Sequence, residues 1–443
     1  MTAQWKSGTS FVLATVGAAV GLGNIWRFSY VAGENGGAAF LLIYLFFVLI
    51  IGLPLVIAEL ALGRNSKGDG VSALEVQELR GVWRRLGWIG VFSALLIAGY
   101  YAVIAGWALK YLFGAVTGQL WASAGQGYGA YFETFIAAGL EPVLWQAAML
   151  VLTGLVVIRG LKGGIELINV FLMPLLVLIV LAMAGYAMTL PGSEGGISFL
   201  LKPDWSAFGR PAVYLTALGQ AFFSLGLGVA VFVTYGGYLS RSTSIPSSAA
   251  AVVLGDTAFA LVAGVAIFGT VFALGGDPAA GPRLAFVTFP QLLLELPGGR
   301  WIGIVFFFLL SAAALTSMVA LLEVPAAAAI NRMGWSREKA VVVLSVVLFV
   351  LGLPLALSYG PLAGLAWNGT PLLDVVDQTV SNLLLPVSGL VVALVVGWRI
   401  EKSQALATAD LAPNAWGLAW LWSIRLIAPA TILLILAQSL RFF

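Results

Sequence analysis

Long apolar runs alternate with short polar connectors along the whole chain. Eleven runs stand out, at about 9–32, 38–61, 87–116, 142–159, 163–190, 208–239, 248–275, 299–329, 338–358, 372–398 and 415–440. A bilayer core takes about 20 residues of helix, and lipid offers no hydrogen-bond partner to an open backbone, so each run is predicted to be a helix. The short alternating segments that mark a membrane barrel are missing from the sequence. We number the runs segments 1 to 11. Residues 1–190 hold the first five, 191–402 the next five and 403–443 the last. The pattern predicts an all-α polytopic membrane protein with eleven transmembrane helices.

Charge placement predicts orientation. Fourteen of the 22 Lys and Arg fall in connectors that would share one side with the N-terminus, five fall on the other side, and Arg27, Lys110 and Arg425 lie within or at the ends of segments. Basic connectors stay inside, so the N-terminus is expected in the cytoplasm and the C-terminus outside. Segment 1 carries one basic residue before it and runs on through Trp26-Arg27 without a small-residue cleavage site, so it reads as a retained span. The longest outer connectors, 191–207 and 276–298, are caps over a vestibule or plain solvated links.

Composition narrows the chemistry. Hydrophobic residues make up 61% of the 443 and charged residues 9%, too few to solvate a soluble protein's exterior. A net charge of +3, scattered along the chain, gives no phosphate footprint, so no nucleic-acid partner is expected; the partner is the lipid bilayer. Cysteine and histidine are both absent. That excludes disulfides, a thiol nucleophile, an imidazole base and a Cys/His metal site. What remains is carboxylate, hydroxyl, amide and backbone chemistry, suited to hard ions.

Segments 1 and 6 echo each other. Gly21-Leu22-Gly23 and Gly226-Leu227-Gly228 both fall at mid-membrane, five segments apart. An odd offset inverts the second copy, and paired glycine interruptions point to an inverted-repeat transporter. Glycine costs about 1 kcal/mol against alanine in a helix, so such clusters invite the helix to open. Opened backbone is tolerated at that depth where it faces protein, water or an ion. Gly17 and Gly21 also form a G-x-x-x-G, which alone reads as a packing face.

Charges within the runs are functional candidates. They are Arg27, Glu59, Asp256, Glu323 and Asp377, joined by the neutral Asn24, Tyr44, Tyr101, Gln220, Ser224, Thr316 and Ser317. The neutral groups are all oxygen donors of the kind that hold Na⁺ or K⁺. Thr316 and Ser317 are equally able to bond back to their own helix, and Tyr44 and Tyr101 to sit in aromatic belts. Glu323 reads as mostly structural, near a segment end. Asp256 has no basic neighbour in sequence, so it faces a cation or carries a proton.

These residues bear a resemblance to a known family. Gly17-Ala18-Ala19-Val20-Gly21-Leu22-Gly23-Asn24-Ile25-Trp26-Arg27-Phe28 with Glu34-Asn35-Gly36-Gly37-Ala38-Ala39-Phe40 resembles the first helix of neurotransmitter:sodium symporters. The likeness continues in Gly52-Leu53-Pro54-Leu55, Glu59, Tyr100-Tyr101, Gln220 through Gly228 and Ala313-Ala314-Leu315-Thr316-Ser317. Eleven spans rather than twelve is the pattern of bacterial members, in the inner membrane. The resemblance implies a five-plus-five inverted repeat with helices 1 and 6 unwound around an amino acid and two Na⁺ ions.

The resemblance also implies roles. One sodium site takes the Ala19 backbone, Asn24, Ser224, Asp256 and the substrate carboxylate. The second takes the carbonyls of Gly17, Val20 and Ala313 with the hydroxyls of Thr316 and Ser317. The substrate carboxylate meets the Leu22 and Gly23 amides and the Tyr101 hydroxyl. Arg27 and Asp377 form the outer gate, with Gln220 nearby and Phe223 as lid; Trp5 and Tyr238 belong to the inner gate. Where amine-transporting relatives carry an aspartate, this chain has Gly21, so an amino acid that brings its own carboxylate is expected. Asp256 replaces the neutral amide of chloride-dependent relatives, so chloride independence is expected. The family's inner arginine–aspartate pair is replaced by Thr2 and Asn331, with Lys6 as a possible substitute. The side-chain pocket is expected from Ala18, Ile97, Tyr101, Phe223, Gly226, Val229, Ser317 and Leu321. It holds no charge, and Ala18, Gly226 and Val229 leave room for a hydrophobic or aromatic side chain. Rival readings are a proton-coupled carrier titrating Asp256, a channel, and an intramembrane enzyme pairing Glu59 with Asp256.

Overall fold

The computed structural model describes residues 4–66, 68–75 and 82–439. Thr2, Lys67, Arg80 and Arg441 of the sequence reading lie outside the described residues, as does Leu440 at the end of segment 11. Among the described residues the chain is helical throughout, with one isolated bridge between Trp367 and Thr370 and no strand. Asn368 (φ 49°) and Gly369 (φ 80°) make the left-handed turn that closes this bridge.

Among the described residues eight helices are long and apolar enough to cross a membrane, and ten if two bent pairs each count as one. Segment 1 is such a pair, Gly8–Ala19 and Gly23–Glu34, bent by 55°. The other is Tyr128–Ala137 with Glu141–Val157, at 79°; its second helix is segment 4, and the first lies before the predicted run. Segment 2 is Ala38–Ser66, segment 3 Val82–Thr117, segment 5 Leu161–Met188, segment 7 Ile245–Ala273, segment 8 Gly299–Met333, segment 9 Arg337–Ala356, segment 10 Leu372–Arg399 and segment 11 Ala415–Ala437. Segment 6 is split into Pro211–Leu225 and Val231–Gly237, each too short to cross alone.

Local chemistry explains the ends. Ser7 and Ser10 form a reciprocal cap at the start of segment 1, each hydroxyl accepting the other's N–H at 3.1 Å. Pro211 opens segment 6 at a position where its missing N–H costs nothing. Gly334 (φ 64°) stops segment 8, and Ser336 caps segment 9 by accepting the Lys339 N–H at 3.2 Å.

Both long outer connectors fold against the helices. Residues Ser193–Leu201 form a helix whose Gly196 meets the backbone of Phe268 in segment 7. In the second connector, Pro282 accepts the Trp26 indole N–H at 2.8 Å, and Gly33 packs against the Pro278 carbonyl. They are therefore packed against the bundle rather than plain solvated links.

Two polar clamps hold the end of the bundle that carries the N-terminus. Arg64 donates to both Asp410 oxygens (2.8 and 2.5 Å) and to the Thr243 and Thr408 carbonyls, both at 3.1 Å. Burial pushes the Asp410 carboxyl up, but the bonds from Arg64 and the Ile245 N–H outweigh it and hold the group below the usual aspartate value. The second clamp joins Glu323, fully buried in segment 8, to Arg337 at the start of segment 9. Arg337 donates to Oε2 at 2.7 Å and Oε1 at 3.0 Å, and the Tyr238 hydroxyl adds a third bond at 2.8 Å.

Removing one partner of a buried ion pair leaves the other uncompensated. Arg337→Ala is therefore expected to destabilise the fold by about 3–5 kcal/mol, whereas the double variant Glu323→Leu/Arg337→Met recovers most of that loss. Thermal unfolding in detergent reads this; equal losses in the single and double variants would contradict it.

Candidate functional site

The breaks in segments 1 and 6 lie side by side. In segment 1 the helix stops at Ala19, Val20 turns extended (ψ 112°), and a wide π-turn resumes at Gly23. In segment 6, Gly226 (φ 68°), Gly228 (φ 79°) and Ala230 (φ 57°) all take left-handed backbone. Glycine adopts that conformation freely; Ala230 does so against its Cβ, a strain that persists where surrounding structure imposes it. Gln220 joins the two segments by donating to the Gly23 carbonyl at 3.0 Å.

Asp256 of segment 7 sits against both breaks with no solvent exposure. The Asn24 amide donates to its Oδ1 at 2.7 Å, and the Ser224 hydroxyl donates to its Oδ2 at 2.9 Å. Asn24 also donates to Ser224 at 3.2 Å, while its Oδ1 accepts the Gly21 N–H at 3.0 Å. Among the described residues no basic side chain pairs with Asp256. A carboxylate buried in this way demands a positive partner, and the surrounding oxygens of Ser224, Asn24 and the opened backbone are hard donors that fit a small monovalent cation.

A cavity opens beside this cluster. All eight residues expected for the pocket line it: Ala18, Ile97, Tyr101, Phe223, Gly226, Val229, Ser317 and Leu321. Ala19, Gly23 and Ser224 line it too. The Tyr101 hydroxyl accepts the Leu22 N–H at 2.9 Å, which fixes the phenol at the segment 1 break. Leu22 itself is not on the wall. The sequence reading missed Leu225, Val231, Phe232, Ala320 and Leu385. Ala320 was recoverable, since it lies three residues past Ser317 on the same helix face. Leu385 comes from segment 10, and nothing in the sequence signals that segment's approach.

The second cluster is divided. Ser317 donates across to the Val20 carbonyl at 3.3 Å, joining segment 8 to segment 1. Thr316 instead bonds back to the Ala313 carbonyl at 2.9 Å. Gly17 packs against Asn169 of segment 5, so the packing reading holds for that glycine.

Among the residues expected at the outer gate, Arg27 donates to Gln220 at 3.1 Å, and its guanidinium lies over the Phe223 ring at 4.3 Å. Asp377 accepts the Ser381 hydroxyl at 3.3 Å. Among the described residues Arg27 and Asp377 form no direct ion pair, and Phe223 and Gln220 lie against the arginine. At the N-terminal end, the Trp5 indole donates to the Tyr235 carbonyl at 3.1 Å and stands edge-on to Tyr238 at 6.3 Å. Asn331 donates to Asp69 at 3.3 Å; Lys6 is exposed, and its backbone N–H bonds Glu166 at 3.1 Å. The Glu323–Arg337 clamp on Tyr238 was missed. Its signal was a Gly334 helix stop between a membrane-depth acid and a base 14 residues later. Tyr44 and Tyr101 are buried, not in an aromatic belt.

Gly21 carries the tightest constraint on the cavity. A Cβ there would overlap the Ser317 hydroxyl and come within 2.6 Å of the Tyr101 oxygen. Gly21→Ala is expected to destabilise by about 1–3 kcal/mol through overpacking, with Ser317→Ala in the same chain restoring part of the loss. Thermal unfolding of the single and double variants tests this; a Gly21→Ala protein as stable as the native one would contradict it.

Comparison with known proteins agrees with this geometry. The family model described as "Sodium:neurotransmitter symporter family" matches residues 2–131 and 137–443. An uncharacterised sodium-dependent transporter of Bacillus subtilis, YhdH, is 38% identical over 98% of this chain and 96% of its own. The rat sodium- and chloride-dependent GABA transporter 2 is 27% identical over 79% of this chain and 66% of its own. Among solved structures, MhsT in complex with L-phenylalanine superposes with a TM-score of 0.93 at 46% identity, covering 99% of both chains. A family model matched over nearly the whole length, an all-helical fold and two broken helices meeting at a buried aspartate lead to one assignment: this chain belongs to the sodium:neurotransmitter symporter family, whose members are sodium-dependent membrane transporters.

Proposed function

We propose that the protein couples Na⁺ to the import of a hydrophobic or aromatic L-amino acid by alternating access, without chloride. The observation that carries this reading is the Asp256 carboxylate, clasped by Asn24 and Ser224 of the two breaks beside an uncharged cavity. MhsT, the structural relative, is described in complex with L-phenylalanine. A side chain of that size suits walls made of Ala18, Gly226 and Val229, which offer no charge to pair with a polar substrate. The amino-acid carboxylate would face the Gly23 amide and the Tyr101 hydroxyl. Gly21 leaves no side-chain acid, so the substrate supplies the negative charge itself.

In this reading Na⁺ is a co-substrate with two seats. The first draws on the Ala19 backbone, Asn24, Ser224 and Asp256; the second on Gly17, Val20, Ala313, Thr316 and Ser317. An ion shared with the substrate carboxylate raises substrate affinity, and the linkage is reciprocal. The fixed charge of Asp256 supplies what chloride would otherwise provide. The Ser317–Val20 bond ties segment 8 to segment 1, so its release frees the first half of segment 1 to tilt. Arg27 and Asp377, bridged by water, close one path with Gln220 and Phe223, and Trp5 with Tyr238 the other. We place the eleven segments as a five-plus-five inverted repeat plus one in the bacterial inner membrane. The N-terminus is cytoplasmic and the C-terminus outside, as the basic connectors indicate.

A charge-assisted hydrogen bond contributes about 1.5–3 kcal/mol. Asn24→Ala and Ser224→Ala are therefore expected to weaken sodium-dependent phenylalanine binding by about ten- to a hundredfold, and Thr316→Val to weaken it as well. Unchanged sodium affinity in all three would overturn the assignment. In proteoliposomes, replacing chloride by gluconate is expected to leave uptake intact; loss of most uptake would refute chloride independence.

A further inference from the structure

A second cavity lies behind the segment 6 break, and it contains an acid that the symport reading does not use. Glu59 of segment 2 is fully buried. Its Oε1 accepts the Gly228 N–H at 2.9 Å, while its Oε2 has no hydrogen-bond partner. The cavity beside it has about 30 Å³ of space, room for about two water molecules. Its walls are Leu62, Ala73, Gly87, Ala230 and Ser388, with Glu59 the one titratable group among the described lining residues.

The charges on the surrounding elements are engaged elsewhere. On segment 2, Arg64 is held by Asp410. Next to the Gly70–Glu75 helix, Asp69 accepts the Val71 and Ser72 N–H groups, and Glu75 pairs with Arg332. On segment 3, Arg85 is exposed, Tyr101 accepts the Leu22 N–H and Lys110 pairs with Glu141. On segment 6, Tyr238 donates to Glu323. On segment 10, Asp374 accepts the Tyr359 hydroxyl, Asp377 the Ser381 hydroxyl, and Arg399 stacks on Trp83. No cation reaches Glu59 among the described residues.

Asp256 and Glu59 differ in their donors. Two side-chain donors, Asn24 and Ser224, converge on Asp256. Glu59 has a single backbone donor, an apolar wall and an orphaned oxygen, which favours the neutral acid. We propose that this cavity is a proton-binding site in which Glu59 carries a proton on Oε2, donated toward the cavity. The Gly228 N–H belongs to the left-handed stretch of the break. When segment 6 rearranges, that N–H leaves Glu59 and water reaches the cavity. The acid then returns its proton to water, so proton occupancy follows the state of the break.

The test uses the full chain in lipid nanodiscs and infrared spectroscopy at neutral pH, with no ligand added. The native minus Glu59→Gln difference spectrum is expected to show loss of one protonated-carboxyl C=O band. Loss of an ionised-carboxylate band instead would overturn the proposal. Should the Gln variant fail to fold, Glu59→Asp is expected to shift the same protonated band; a shifted carboxylate band would again overturn it. The link to the break is read by a pH indicator in weak buffer. On addition of Na⁺ and L-phenylalanine, the Gln variant should release fewer protons than the native protein. Equal release would break that link. The infrared result stands apart from the symport reading, because it requires neither ion nor amino acid to bind.

Discussion

An acid buried without a base organises this molecule. Asp256 lies at the middle of segment 7, excluded from water, with amide and hydroxyl donors but, among the described residues, no basic side chain beside it. Transfer of a lone carboxylate into such surroundings is costly, so the acid either meets a cation or carries a proton. Satisfying that acid requires donors from two other helices, and they reach it because both helices open at the same depth. The donor set around Asp256 and the unwinding of segments 1 and 6 are one arrangement seen from two sides.

The openings have local causes. Segment 6 opens because three of five consecutive residues take left-handed backbone, two of them glycine. Segment 1 opens with no positive φ at all: Val20 turns extended, and the Asn24 side chain then captures the freed Gly21 N–H. The backbone groups released by unwinding find partners in Tyr101, Gln220, Ser317 and Glu59. Each partner comes from a different segment, which is how a lesion in two helices becomes the centre of the bundle.

Much of this was legible in the sequence, for physical reasons. Bilayer thickness sets helix length, so most segment boundaries agree within a few residues; segment 3 begins earlier, at Val82. Glycine clusters marked both breaks, and the lack of a basic neighbour marked Asp256. Contacts that depend on how helices lean were not legible. Leu385 on the cavity wall comes from segment 10, and the Glu323–Arg337 clamp depends on a helix hairpin closed at Gly334. Periodicity reports which face of a helix is apolar, not which neighbour meets it. The fate of Thr316 was open for the same reason: its hydroxyl turned to its own helix while that of Ser317 crossed to Val20.

Equilibrium binding of radiolabelled L-phenylalanine to the purified protein, as sodium replaces choline at constant ionic strength, tests the central claim most directly. If the buried aspartate and the opened backbone seat a sodium ion beside the amino acid, affinity climbs with sodium and vanishes in choline. Binding of equal strength in both salts would contradict the account.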